Sequence, residues 1–226
     1  MKIKWLNKII EFKFHDWHYA HIHFVMIVPH TMEFTKRDEF PTYLNQSGLV
    51  GSGAEIGVQS GCYSEILLSR WKGNGLFSID AWQHFDDDIY VDIANLSTEQ
   101  HLDLYANTSL KLRPFGDRSI IWRMTSHEAS RIIPDKTLDF CYLDADHSYK
   151  GVLNDLKLWV PKIKNGGIIC GHDYINDGTH YTKEGVLIGD FGVQKAVGKI
   201  SNELNWKIHV TEFDEYPSWF ATIAGN

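Results

Sequence analysis

Four segments of this sequence place acids, glycines and histidines just after short apolar runs. They are Glu55-Ile56-Gly57-Val58-Gln59-Ser60-Gly61, Asp80-Ala81-Trp82, Asp144-Ala145-Asp146-His147-Ser148-Tyr149 and Gly171-His172-Asp173-Tyr174. In an open α/β sheet, ligands bind outside the carboxyl ends of the strands, where such segments would fall. Gly57 and Gly61 let the backbone approach a ligand closely and let the next helix pack near its strand. Asp80, about 23 residues past Gly57, stands where an acid accepts hydrogen bonds from ribose hydroxyls. Glu55 suits a cationic ligand better than a pyrophosphate. A purely structural reading predicts no bias toward acids at strand ends.

The elements that must position these residues follow from periodicity. Gly53–Ile56 reads as a strand, with a helix from Cys62 to about Trp71, and Leu76–Ile79 is the next apolar run. A polar loop from His84 to Asp92 leads to a helix that Ser97 can cap, with Glu99 and Gln100 in its first turn. Ile120–Met124 and Leu138–Leu143 read as strands, separated by a short helix over Ser126–Ile133. Val152, Leu153, Leu156, Trp159 and Val160 share one helical face. Gly166–Gly167 ends that segment, Ile168–Cys170 is a fifth strand, and Val193, Val197, Ile200 and Leu204 mark another helix. Two β-like runs, Trp206–Thr211 and Ser218–Ile223, close the chain.

Five alternations of strand and helix imply parallel strands with right-handed crossovers. The fold class is therefore α/β: a Rossmann-like, doubly wound, seven-stranded and mostly parallel sheet. The last two strands have no helix between them, so one runs antiparallel. Residues 46–226 form this domain. Residues 1–45 form an extension crowded with His and aromatics, expected to pack over the acceptor side of the sheet or to form a homo-oligomer interface. Within it, His15, His18, His21 and His23 do not stack on one helical or strand face, so an aromatic arm or lid is preferred to a metal site.

Composition narrows the function. The chain has 226 residues, 43% hydrophobic and 23% charged, which suits a folded domain rather than a disordered one. A net charge of −7 without a long basic run argues against nucleic acid as a partner. Three widely spaced Cys exclude a disulfide framework and a thiolate zinc site, and they fit a reducing cytoplasm. Lysines interrupt every early apolar run, and no stretch approaches the ~20 residues of a membrane span, so no signal peptide or membrane partner is expected.

The segments AEIGVQSG (54–61), SIDAW (78–82), LDADHSYKGVLNDLKLW (143–159) and GGIICGHDY (166–174) together resemble class I S-adenosylmethionine-dependent methyltransferases. The closer likeness is to small-molecule O-methyltransferases of the macrocin and mycinamicin type, and it covers about residues 48–224. The resemblance implies S-adenosylmethionine as cofactor. Glu55, Gly57, Ser60 and Gly61 would hold its methionine end, Asp80 the ribose, and Ala81, Trp82 and Ser126 the adenine side, with Asp144 close by. It also implies a divalent metal on Asp144, His172 and Asp173. Mg²⁺ is usual in such members, and an imidazole ligand brings in Mn²⁺ or Fe²⁺. His147 is the implied general base, with Asp146 as the alternative. The expected reaction is metal-assisted O-methylation of a small-molecule hydroxyl acceptor of sugar, polyketide or phenolic type.

Plainer readings compete. The glycine loop could be an ordinary strand–helix turn, Asp80 a helix cap, Asp144 a partner for a helix N-terminus, and Trp82 most simply a core or rim ring, though one placed to stack on adenine. Asp86–Asp87–Asp88 reads as a solvated loop near the cofactor mouth. A nicotinamide-dependent oxidoreductase is disfavoured because G-x-G-x-x-G is absent in register with the strand. A nonenzymatic nucleoside-binding protein leaves the clustered acids unexplained.

Overall fold

The computed structural model describes residues 32–86 and 90–224. The chain divides into two units at residues 31/32, and the larger unit carries every element below. The His15–His23 cluster, the aromatics before residue 32 and Asp87–Asp88 lie outside the described residues.

The strands are β1 (Ser52–Ile56), β2 (Gly75–Asp80), β3 (Ser119–Arg123), β4 (Leu138–Leu143), β5 (Ile163–Gly171), β6 (Gly178–Tyr181), β7 (Leu187–Phe191), β8 (His209–Val210) and β9 (Trp219–Thr222). The helices are α1 (Phe40–Gln46), α2 (Cys62–Arg70), α3 (Thr98–Leu112), α4 (Ser126–Ile132), α5 (Tyr149–Trp159) and α6 (Val193–Leu204). Seven strands form one sheet in the order β3-β2-β1-β4-β5-β9-β8. β1 through β5 pair in parallel, and β9 runs antiparallel to both of its neighbours. The expected α/β topology is therefore present, reversed last strand included.

Strand pleating divides the core between two faces. Cys141 and Leu143 of β4 and Ile169 of β5 pack beneath α4, α5 and α6. Phe140 and Tyr142 of β4 and Ile168 and Cys170 of β5 pack beneath α1 and α2. All six β4 residues are buried, as a central parallel strand covered by helices requires. Helix starts follow local chemistry. The Ser97 side chain accepts from Gln100 N while Gln100 returns a bond to Ser97 N, and Thr125 and Glu128 repeat this capping box ahead of α4.

Two elements were not foreseen. α1 falls inside the stretch read as an extension, with Pro41 in its first turn and Phe40 and Leu44 fully buried. The hairpin β6–β7 fills the loop after β5, and an isolated bridge joins its Gly189 to Asp92.

Candidate active site

The glycine loop between β1 and α2 is organised by Asp80 at the end of β2. Its Oδ2 accepts from Val58 N and Gln59 N at 2.9 Å each, and its Oδ1 accepts from Trp82 N at 2.7 Å. Asp80 therefore shapes the loop within the fold itself. The glycine requirement at 57 also has a cause inside the fold. Gly57 sits at φ +86°, and a Cβ there would stand 1.9 Å from the Asp144 carbonyl oxygen. The close approach expected with a ligand is already made with the end of β4. At Gly61 (φ +73°) a Cβ would meet Thr108 of α3 at 2.7 Å.

Beyond this loop lies a cavity of about 1130 Å³ that Gly57, Ser60, Asp80, Ala81, Ser126 and Asp144 help to line. It is large enough for a nucleoside cofactor and a small acceptor together. Glu55 also reaches it, but the carboxyl is 1% exposed and hydrogen-bonded by the Ser64 hydroxyl. Burial pushes its pKa up to about 8, so at neutral pH it is a neutral acid and does not supply the charge expected for a cationic ligand. Trp82 departs from its expected place beside the adenine. Its ring is fully buried 5.1 Å from Tyr105, and its indole N–H donates to Gln59 O at 2.9 Å, bracing the loop from behind. The Ser126 hydroxyl lines the cavity but is engaged, donating to Asp155 Oδ1 at 2.5 Å and accepting from the Trp159 indole at 2.9 Å.

At the ends of β4 and β5, two carboxylates and two imidazoles converge. His147 Nε2 lies 3.4 Å from Asp144 Oδ1 and 3.0 Å from Asp173 Oδ2. His172 Nδ1 lies 3.6 Å and 3.2 Å from the same two oxygens. Parallel pairing of β4 with β5 brings these ends together, and Asp173 turns its carboxyl inward from the left-handed region, at φ +52°. Sequence reasoning missed Asp92, whose Oδ2 holds His147 Nδ1 at 2.9 Å while the ring stacks at 5.2 Å on Phe191 of β7. Asp146 plays a turn role, its Oδ1 accepting from Ser148 N at 2.9 Å ahead of α5.

The electrostatics are tightly coupled. Burial opposes charge on His147, but hydrogen bonds with Asp144 and Asp92 and the charges of Asp173 and Asp144 lift its pKa well above the ordinary value. The same balance raises His172 to about 9. Burial alone would raise Asp144, yet bonds from His147 and His172 hold it well below the usual carboxylate range. One ligand atom each from Asp144, His147 and Asp173 falls within 4.8 Å of the others, a mixed oxygen and nitrogen donor set that fits a divalent cation. Arg37, just before α1, is a second cavity residue that the sequence reading passed over.

A mostly parallel sheet with a reversed last strand, a glycine loop after β1 and an acid after β2 define a Rossmann-like nucleotide-cofactor site. Residues 54–174 match the family described as a methyltransferase domain, more than half of the chain, and the chain belongs to that family. S-adenosylmethionine is accordingly the cofactor this cavity implies, and the loop and cavity dimensions fit it.

Solved structures share the fold. An O-methyltransferase from Bacillus cereus in complex with SAH is 12% identical, with a TM-score of 0.55, covering 82% of this chain and 80% of its own. An O-methyltransferase family protein from Burkholderia thailandensis is 10% identical, with a TM-score of 0.56, covering 84% and 55%. A protein from Corynebacterium glutamicum is 11% identical, with a TM-score of 0.56, covering 84% and 81%. The uncharacterized protein y4gI of Sinorhizobium fredii is 24% identical over 131 residues, 55% of this chain, and the match spans 13% of that relative's length. Among the described residues, no helix is long and apolar enough to cross a membrane.

Proposed function

We propose that this protein is an S-adenosylmethionine-dependent O-methyltransferase of the macrocin and mycinamicin type, acting with a divalent cation on a hydroxyl of a small molecule. The observation that carries this reading is one cavity walled on one side by the Gly57–Gly61 loop and on the other by Asp144, His147 and Asp173. The bound cofactor would supply an electrophilic methyl group, and a bound cation, Mg²⁺ by preference, would supply positive charge beside the acceptor oxygen. Asp144 and Asp173 would hold that cation, with His172 as the third ligand in reach of both. His147 would take the acceptor proton at Nε2 while Asp92 holds its Nδ1. His147 can do so once Asp144 and Asp173 are neutralised, because otherwise three carboxylates keep its ring protonated. The second reading makes His147 itself the third ligand, favoured by the 4.8 Å grouping and by the Asp92 contact typical behind a ligating imidazole.

The acid-rich cavity and a net charge of −7 support a small-molecule acceptor over nucleic acid. The free, buried Cys141 and Cys170 accord with work in the cytoplasm. The test is transfer of labelled methyl from S-adenosylmethionine to a panel of sugar, polyketide and phenolic hydroxyl compounds, with Mg²⁺ or with excess chelator. Product that depends on Mg²⁺ supports the proposal, undiminished product in chelator removes the metal, and labelling of amines alone removes O-methylation.

A further inference from the structure

Arg37 is a charged group in the cavity to which the reading above gives no task. It opens the short turn Arg37–Glu39, and its guanidinium carbon lies 4.8 Å from the centre of the Tyr63 ring. Burial works against its charge, while Tyr142, Asp144 and Tyr63 act electrostatically to hold it. Tyr63 belongs to the first turn of α2, directly after the Gly57–Gly61 loop, and Arg37 lines the same cavity as that loop. Among the described residues, no acidic oxygen lies within 4.0 Å of its guanidinium nitrogens. A guanidinium carries five N–H donors in a planar fork shaped for a carboxylate. The contact with the Tyr63 ring leaves N–H donors of that fork to the cavity that Arg37 lines.

The backbone under Arg37 is held from several sides. Arg37 N donates to Asp214 Oδ2 at 2.8 Å, and the Tyr63 hydroxyl donates to Arg37 O at 3.2 Å. Glu212 N donates to Thr35 O at 2.9 Å, and Arg70 Nη1 donates to Asp38 O at 2.8 Å. These ties join the turn to α2 and to the segment between β8 and β9. A turn fixed in this way presents its side chain with little backbone entropy left to lose on binding. The other cationic groups lining the cavity lie elsewhere, Lys157 on α5 and His147 and His172 at the ends of β4 and β5. Glu55 is a neutral acid, while Asp80 and Asp144 would repel an anion.

We propose that Arg37 binds the α-carboxylate at the methionine end of the cofactor, and that this contact separates the full cofactor from relatives lacking the amino-acid group. The proposal rests on the cofactor assignment made above. The competing interpretation is that Arg37 only packs on Tyr63 and steadies the loop.

The experiment is a calorimetric titration of wild type, Arg37→Gln and Arg37→Lys with two ligands. S-adenosylhomocysteine carries the carboxylate; 5′-methylthioadenosine keeps the nucleoside and thioether but lacks it. Arg37→Gln is expected to weaken S-adenosylhomocysteine roughly 10- to 100-fold, as loss of a charge-assisted pair does, and to leave 5′-methylthioadenosine unchanged. Arg37→Lys, which keeps the charge and loses the fork, is expected to fall between and carries the test should the Gln variant not fold. Equal weakening of both ligands makes Arg37 a loop support and overturns the proposal, as does unchanged S-adenosylhomocysteine affinity. A wild type that binds neither ligand overturns the cofactor reading itself.

Discussion

Asp155 offers a quantitative test of the electrostatics behind the Ser126 side of the cavity. It lies in α5 with 8% exposure, and its Oδ1 accepts the Ser126 hydroxyl. Burial pushes its carboxyl up from 3.8 to about 7; Ser126 offsets part of this and the charge of Asp146 adds to it. Between those two values the folded protein holds a proton that the unfolded chain has released. The associated stability is therefore fully present below about pH 3.8 and is lost as pH rises to about 7, at roughly 1.4 kcal/mol per pH unit. From about pH 5 to about pH 8.5, some two units of this window are crossed, a loss of about 3 kcal/mol. Asp155→Asn is neutral at every pH, and its Oδ1 still accepts from Ser126. Glu55 titrates in the same sense in both proteins and cancels from the comparison. Urea unfolding, followed by tryptophan fluorescence at the two pH values, should find the stability of the variant relative to wild type about 3 kcal/mol greater at the higher pH than at the lower. A difference that does not change with pH would refute the reasoning.

Other consequences are as direct. Gly57→Ala forces a left-handed residue against the Asp144 carbonyl and should cost roughly 3 kcal/mol or more, read as a lowered urea midpoint; a stable variant would mean that the ends of β1 and β4 can part. Asp80→Ala removes the acceptor for three backbone N–H groups, so a stability loss of about 2 kcal/mol should accompany at least ~10-fold weaker S-adenosylhomocysteine binding. Binding loss at unchanged stability would confine Asp80 to the ligand. Asp173→Ala should abolish Mg²⁺ binding by calorimetry while cofactor affinity stays intact. His147→Ala should keep Mg²⁺ affinity and lose turnover; loss of both would make His147 the third ligand.

Much of this architecture was legible because its signals are local. The apolar runs of β1, β2, β4 and β5 and the 3.6-residue stripe of α5 are each decided within a dozen residues, and their alternation dictates a parallel sheet. The strand-end rule then assembled Asp80, Asp144, His172 and Asp173 without a structure. What escaped was set by distant contacts. Asp92 sits in a polar loop without periodicity, and it reaches His147 because a bridge to Gly189 pins that loop to a hairpin nearly a hundred residues later. Arg37 belongs to a stretch read as an arm, and ties to α2 and to Asp214 hold it at the cavity wall. Trp82 read as either a core ring or an adenine stacker, and the turn after β2 decides for the core, sending the ring inward against Tyr105. The glycine at 57 was correctly expected to permit a close approach, but its partner is the end of β4, which β1 meets only through non-local pairing.

The central claim is that the cavity at the ends of β1, β2 and β4 is built for S-adenosylmethionine. Calorimetric titration of the whole chain with S-adenosylhomocysteine, and in parallel with NADH, tests it most directly. The account predicts one saturable site for S-adenosylhomocysteine and no heat of binding for NADH; saturable NADH binding, or a silent S-adenosylhomocysteine titration, would contradict it.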